Sequence, residues 1–121
     1  RAGIITRLEI SGDELITSPL DIEIYRVATE ALNNALKHSN ATQIEVKLQV
    51  NPDTHICSLQ VSDNGKGFDM HAIKSGGIGI HSMRERAARV GGNLSISSKL
   101  FSGTTVSLVC PLTLPELETN S

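Results

Sequence analysis

The chain has 121 residues, of which 39% are hydrophobic and 20% charged, and its formal net charge is −2. This length is typical of a single globular domain, so we expect one domain over residues 1–121. The weakly acidic balance lacks the strongly basic surface that nonspecific nucleic-acid binding requires, and we expect no direct nucleic-acid partner. No apolar run approaches membrane-spanning length, and the N-terminus lacks the charged-then-apolar order of a signal peptide.

The first half of the chain is predicted to form a strand, a helix and two more strands. Residues 4–10 alternate as a strand does, and Pro19 marks a helix boundary near Asp21. Residues 43–50 and 56–62 alternate again and are separated by a turn over residues 51–54. Between the first and the second of these strands, residues 22–37 carry apolar side chains at helical spacing, namely Ile24, Ala28, Ala31, Leu32, Ala35 and Leu36.

The second half begins with a glycine-rich loop and ends with a hairpin. Residues 63–79 hold five glycines and no clear period, which predicts a loop. A helix follows over residues 80–90, stopped by a Gly-Gly pair, and strands over residues 94–98 and 104–109 form the hairpin. Cys57 and Cys110 lie inside strand-like runs, so we expect buried free thiols. The order predicts an α/β (α+β) fold, a two-layer sandwich whose mixed, mostly antiparallel sheet carries helices on one face.

The predicted first helix places three polar side chains on one stripe. Glu30, Asn34 and Lys37 lie four and three residues apart, so they share a helix face. Such a stripe is equally typical of a solvated helix surface. The functional alternative is a metal and phosphate site: Mg²⁺ prefers hard oxygen ligands such as the Asn34 amide, and Glu30 can hold a metal-bound water or accept a proton. Lys37 and His38 are then placed to reach a phosphate chain.

Two glycine motifs follow. In Asp63-Asn-Gly-Lys-Gly67, Asn-Gly is also a favoured hairpin turn, but the residues after Phe68 do not read as a returning strand. The glycines therefore favour close approach of the backbone to a ligand, and Asp63 can accept a hydrogen bond from an exocyclic amine such as that of adenine. Gly76-Gly-Ile-Gly79 precedes a helix, which suits a phosphate site, a lid hinge or a flexible linker.

Taken in order, these motifs resemble the ATP-binding fold shared by gyrase, Hsp90, the sensor histidine kinases and MutL, the Bergerat fold of the GHKL superfamily. Glu30-x-x-x-Asn34-Ala-x-Lys-His38 resembles its N box, Asp63-x-Gly65-x-Gly67 its G1 box and Gly77-x-Gly79 its G2 box. Thr104 matches the threonine that supports the adenine-binding aspartate. The resemblance covers about residues 22–111, and it is greatest to the catalytic and ATP-binding domain of bacterial two-component sensor histidine kinases. The lid is short, and a separate F box is missing.

The resemblance implies a set of ligands and residue roles. It implies ATP and Mg²⁺ as cofactors, Glu30 as the catalytic residue and Asn34 as the metal ligand. The implied ATP-binding residues are Asn34, Lys37, His38, Asp63, Gly65, Gly67, Phe68, Gly77, Gly79, Ile80, Met83 and Thr104.

The resemblance also implies partners that lie outside this chain. The γ-phosphoryl group of ATP would pass to a histidine on a separate phosphoacceptor and dimerisation domain, and from there to a response regulator. The intact protein is expected to be a dimer, and this fragment a monomeric cytoplasmic domain of a protein that can be anchored in the inner membrane. Two alternatives stay open: a nucleotide-binding regulatory module without transfer, and a serine kinase of the anti-sigma type. An ATPase clamp like those of gyrase or MutL fits the short lid poorly.

Overall fold

A mixed five-stranded sheet forms the frame of the computed structural model, which describes residues 3–38, 40–70 and 79–112. Its order is β1-β2-β3-β5-β4, with β1 parallel to β2 and all other neighbours antiparallel. A short 3-10 turn, Asp13–Leu15, follows the first strand. The elements are β1 Ile5–Ser11, α1 Leu20–His38, β2 Gln43–Asn51, β3 Ile56–Asp63, α2 Ile80–Arg89, β4 Asn93–Lys99 and β5 Gly103–Pro111.

One face of the sheet is covered and the other is polar. Alternate residues of a strand point to the same face, and residues directly opposite each other on antiparallel strands share that face. Cys57 and Leu59 on β3 are buried and lie opposite Cys110 and Leu108 on β5. Both cysteines are free and buried, as predicted. We call this side the covered face.

The two helices pack on the covered face and complete the core. From α1 the core takes Ala31 and Ala35 among others, and from α2 it takes Met83, which is 1% exposed. The helices are also joined by Glu23, whose carboxylate lies 3.2 Å from the Arg86 guanidinium. This arrangement confirms the predicted two-layer fold with helices on one face.

The helix α1 was predicted correctly, but two positions of its buried face were not. Leu36 was expected to face the core, yet it is 54% exposed. Val27 is fully buried and was not among the predicted core residues. The spacing of apolar residues defines a broad face, whereas the sheet beneath the helix decides which edge of that face is buried.

The covered face is less well filled toward β1. Here Leu8 and Tyr25 are more than 60% exposed, and a groove of about 610 Å³ runs between β1 and α1. Neither helix among the described residues is long and apolar enough to cross a membrane.

Candidate functional site

Asp63 closes β3 at the end of the covered face. It lies opposite Ile44 on β2 and Thr104 on β5, so the carboxylate sits between two flanking strands. The backbone N–H of Gly65 donates to its Oδ1 at 2.8 Å, and a backbone hydrogen bond from Thr104 reaches the same carboxylate. Burial raises the pKa of Asp63, and these two hydrogen bonds oppose that rise. The main chain thus holds an acceptor group in one place at the end of the central strand.

The hydroxyl of Thr104 is held by a neighbour that the sequence analysis missed. Ser98 on β4 lies opposite Thr104, and their hydroxyl oxygens are 2.7 Å apart. The Ser98 oxygen also accepts from the backbone N–H of Phe68 at 2.9 Å and lies 3.2 Å from the carbonyl oxygen of Gly103. Asp63, Thr104 and Ser98 therefore form one row across three adjacent strands, which we call the sheet-end cluster.

A signal for Ser98 was present in the sequence. Leu94, Ile96 and Ser98 are every second residue of β4 and share one face, so a hydroxyl occupies a position where the pattern predicts an apolar side chain. The predicted hairpin already brings Ser98 beside Thr104, whereas its contact with the Phe68 N–H is nonlocal and could not be inferred from the alternation.

Residues 64–70, the described part of the loop after Asp63, contain no strand that returns along β3, so the hairpin alternative for Asn-Gly is wrong. Gly67 has a φ of +60°, and a β-carbon at this position would overlap the carbonyl oxygen of Lys99. At Gly103 a β-carbon would overlap the carbonyl oxygen of Asp63. These two glycines let residues 63–67 and the β4–β5 turn pack backbone against backbone. For Gly67, the sequence analysis had expected close approach of a ligand only.

Asn64, to which the sequence analysis gave no role of its own, connects this segment to the start of β2. Its side-chain oxygen accepts from the backbone N–H groups of Thr42 and Gln43, each at 2.9 Å. Its side-chain nitrogen donates to the Thr42 hydroxyl at 2.9 Å. The residue beside Asp63 thus fixes the loop that leads out of the helix with the polar stripe.

The stripe on α1 is not wholly solvated. Glu30 and Asn34 are half-buried, and Lys37 is exposed. The Glu30 carboxylate lies against Gly79, where a β-carbon would overlap it. Gly79 has a φ of +76° and begins α2, so the N-box helix meets the last glycine of the G2 motif. We call Glu30, Asn34 and Lys37 the helix stripe.

Four other predicted site residues are either buried in the core or outside the described residues. Ile80 and Met83 are buried in the core, so they can offer a site only an apolar wall. Gly77 lies outside the described residues, as do the rest of residues 71–78 and the side chain of His38.

The donor set fits a magnesium ion that arrives with its nucleotide. Within the described ranges, no group of three or more His, Cys, Asp or Glu side chains is arranged to hold a metal. Mg²⁺ bound to a triphosphate keeps waters and phosphate oxygens as ligands and needs few from the protein. One amide oxygen and one carboxylate on a helix stripe, Asn34 and Glu30, match that requirement.

Comparison with known proteins gives a consistent result. Residues 20–114 match the family of histidine kinase-, DNA gyrase B- and HSP90-like ATPases. The signal transduction histidine-protein kinase/phosphatase DegS of Bacillus subtilis is 36% identical over 105 residues, covering 84% of this chain and 27% of that protein. The sensor histidine kinase MctS of Rhizobium johnstonii is 38% identical over 117 residues, covering 92% of this chain and 24% of that protein. This chain therefore spans about a quarter of each relative.

Solved structures share the fold at low sequence identity. The blue-light activated histidine kinase EL346 of Erythrobacter litoralis superposes with a TM-score of 0.78 at 20% identity, covering 97% of this chain and 38% of that one. The catalytic domain of histidine kinase ThkA superposes with a TM-score of 0.72 at 15% identity, covering 92% of this chain and 81% of that one.

Proposed function

Because the chain belongs to the family of histidine kinase-, DNA gyrase B- and HSP90-like ATPases, we propose that it binds Mg-ATP as the catalytic domain of a sensor histidine kinase. The observation that carries the proposal is the presence of two sites: an acceptor carboxylate held at the end of the central strand, and a helix stripe whose Glu30 contacts Gly79. The names of the similar proteins, DegS and MctS, favour a kinase over a regulatory module that only binds nucleotide.

The sheet-end cluster reads the base in this proposal. A carboxylate only accepts hydrogen bonds, so Asp63 suits the exocyclic amine of adenine. Thr104, directly opposite, adds a hydroxyl beside it, directly or through a water. Gly65 and Gly67 shape the loop beside the base. Phe68, whose N–H donates to the Ser98 hydroxyl, is the last residue of the loop that lies near the base.

The helix stripe binds the phosphates and their metal ion in this proposal. Asn34 offers its amide oxygen to Mg²⁺, while Lys37 and His38 offset phosphate charge from the end of α1. Mg²⁺ supplies charge neutralisation across the triphosphate when it is bound. Gly77 and Gly79 let the loop approach the phosphates before α2, and Ile80 and Met83 form the apolar wall behind it.

Glu30 acts on the nucleophile. The acceptor is an imidazole whose nitrogen attacks the γ-phosphorus while the bond to the leaving ADP oxygen breaks. Glu30 orients that imidazole and either stabilises its developing positive charge or accepts its proton. Phosphoryl transfer needs positioning and electrostatics more than covalent help, so a few well-placed groups suffice.

The remaining parts of the reaction lie on partners. The acceptor histidine belongs to a phosphoacceptor and dimerisation domain of the same intact protein, which passes the phosphoryl group to a response regulator. Residues 1–121 act as one catalytic domain on the cytoplasmic side, and dimerisation is a property of the intact protein.

The proposal is tested by supplying the separately expressed phosphoacceptor domain of the intact protein with γ-labelled ATP and this chain. We expect label on the acceptor that is lost in acid and kept in alkali. Glu30→Gln should still bind ATP but transfer the label about a hundredfold more slowly, since proton handling contributes that much or more. Acid-stable label would replace this proposal with a serine kinase. Tight ATP binding without any transfer would leave only a regulatory module.

A further inference from the structure

Ser98 is the one member of the sheet-end cluster to which no role has been assigned. It is half-buried on the covered face of β4, next to Thr104, and it contacts Phe68, which directly follows the G1 box. Its hydroxyl contacts three groups at hydrogen-bond distance: the Phe68 N–H, the Gly103 carbonyl and the Thr104 hydroxyl.

One arrangement of protons and lone pairs satisfies all three contacts at once. A serine hydroxyl has one proton and two lone pairs. The Phe68 N–H takes one lone pair, and the Gly103 carbonyl, which can only accept, takes the proton. The second lone pair is what remains for Thr104, so the proton of Thr104 points toward Ser98.

This arrangement fixes what Thr104 can offer a ligand. Because its proton is used by Ser98, the Thr104 oxygen presents only lone pairs to the space beside Asp63. The Asp63 carboxylate is also an acceptor. Two adjacent acceptors match an amine, which brings two N–H groups, and they repel a carbonyl oxygen in the same position.

We propose that Ser98 is a specificity-determining residue: by holding the Thr104 hydroxyl as an acceptor, it makes the site select a 6-amino purine over a 6-oxo purine. This inference rests on the proposed function, because it requires the base to lie against Asp63 and Thr104. Ser98 need not touch the nucleotide, so it is a positioning residue that acts through Thr104.

The test compares two nucleotides that differ at this position. In ITP a carbonyl replaces the exocyclic amine of ATP, and the ribose and triphosphate are the same. We expect the unaltered chain to prefer Mg-ATP to Mg-ITP by more than roughly tenfold, as sites built around a substrate N–H do. In Ser98→Ala the Thr104 hydroxyl is free to turn and donate, so the preference should shrink about fivefold, the worth of one neutral hydrogen bond.

Two further variants separate this role from a structural one. Ser98→Thr keeps the hydroxyl and should keep the preference. Ser97→Ala removes a neighbouring exposed hydroxyl on the opposite face of the same strand, where Ser97 lies opposite Thr105, and should change nothing. Loosening of the Phe68 segment alone would weaken both nucleotides equally and leave their ratio unchanged.

The outcomes distinguish a failure of the role proposed for Ser98 from a failure of the proposed ATP binding. If the unaltered chain prefers ATP and Ser98→Ala keeps the same ratio, or if Ser97→Ala lowers the ratio as much, the role of Ser98 is overturned while ATP binding stands. Equal affinity of the unaltered chain for ATP and ITP also overturns it. If the unaltered chain binds neither nucleotide, the proposed function itself fails.

Discussion

The sheet-end cluster and the helix stripe are built in different ways. Asp63, Thr104 and Ser98 occupy one row of the sheet, and backbone pairing across three strands sets their spacing. Glu30 and Asn34 lie on one helix, and their relation to Gly79 depends on how α1 packs beside α2. The cluster is therefore held by hydrogen bonds of fixed geometry, whereas the stripe depends on a contact between a flexible side chain and a glycine.

This difference suits the two tasks that we propose. Base recognition needs a fixed pattern of acceptors, and a strand register gives little freedom to change that pattern. Phosphate binding and transfer need groups that can adjust as the γ-phosphoryl moves, and a glutamate side chain beside a glycine allows that. Perturbing the cluster should therefore affect affinity most, and perturbing the stripe should affect stability and catalysis.

Asp63→Asn should have the largest effect. The amide turns an N–H donor toward groups that also donate, namely the Gly65 N–H and the adenine amine. We expect a loss of about 3 kcal/mol in binding of Mg-ATP, or roughly a hundredfold in Kd, because hydrogen bonds to a charged group are lost. Calorimetric titration measures it. Asp53→Asn, in the exposed turn between β2 and β3, is the matched control, and an unchanged Kd in Asp63→Asn would refute base reading by this residue.

Gly79→Ala should have an intermediate effect, seen in the free energy of unfolding. An alanine at a φ of +76° is strained, and its methyl group would overlap the Glu30 carboxylate. We expect a loss of about 1–2 kcal/mol in urea denaturation. The loss should be smaller in a Glu30→Ala background, where the overlap is gone but the backbone strain remains. Gly3→Ala, with nothing within 4 Å of the added carbon, is the control. An equal loss with and without the Glu30 side chain would contradict the contact.

The smallest effect concerns pH. Burial raises the pKa of Asp63 in the folded state, so the folded chain holds this proton more readily than the unfolded chain does. The carboxyl therefore adds stability at low pH, and that contribution is lost as pH rises through its folded pKa. Urea denaturation of the unaltered chain and of Asp63→Asn should show their difference moving in favour of the unaltered chain between about pH 7 and about pH 4. A difference that is constant, or that moves the other way, would contradict the raised pKa.

Much of the fold follows from local patterns. Alternation placed Asp63 at the end of a buried strand, and helical spacing placed Glu30 and Asn34 on one face. Both results depend only on the two side-chain periods, 2.0 and 3.6, which are properties of the local backbone. The predicted order of strands and helices is confirmed for the same reason.

The rest depends on contacts between distant parts of the chain. The predicted hairpin pairs Ser98 with Thr104, but local patterns do not reveal that β5 also pairs with β3 and so brings Asp63 into the same row, or that Ser98 contacts the Phe68 N–H. Asn64 bonds to residues about twenty positions earlier. Val27 is buried and Leu36 exposed, contrary to expectation, because the face of α1 that is buried depends on its packing against the sheet.

The central claim is that one adenine nucleotide spans both the sheet-end cluster and the helix stripe. Titration of the chain with Mg-ATP, followed by backbone amide NMR, tests it most directly. We predict that the amide signals of Gly65 and Thr104 shift together with those of Glu30 and Asn34 along a single binding curve. A folded sample whose signals stay unmoved at millimolar nucleotide, or shift at only one of the two places, would contradict the account.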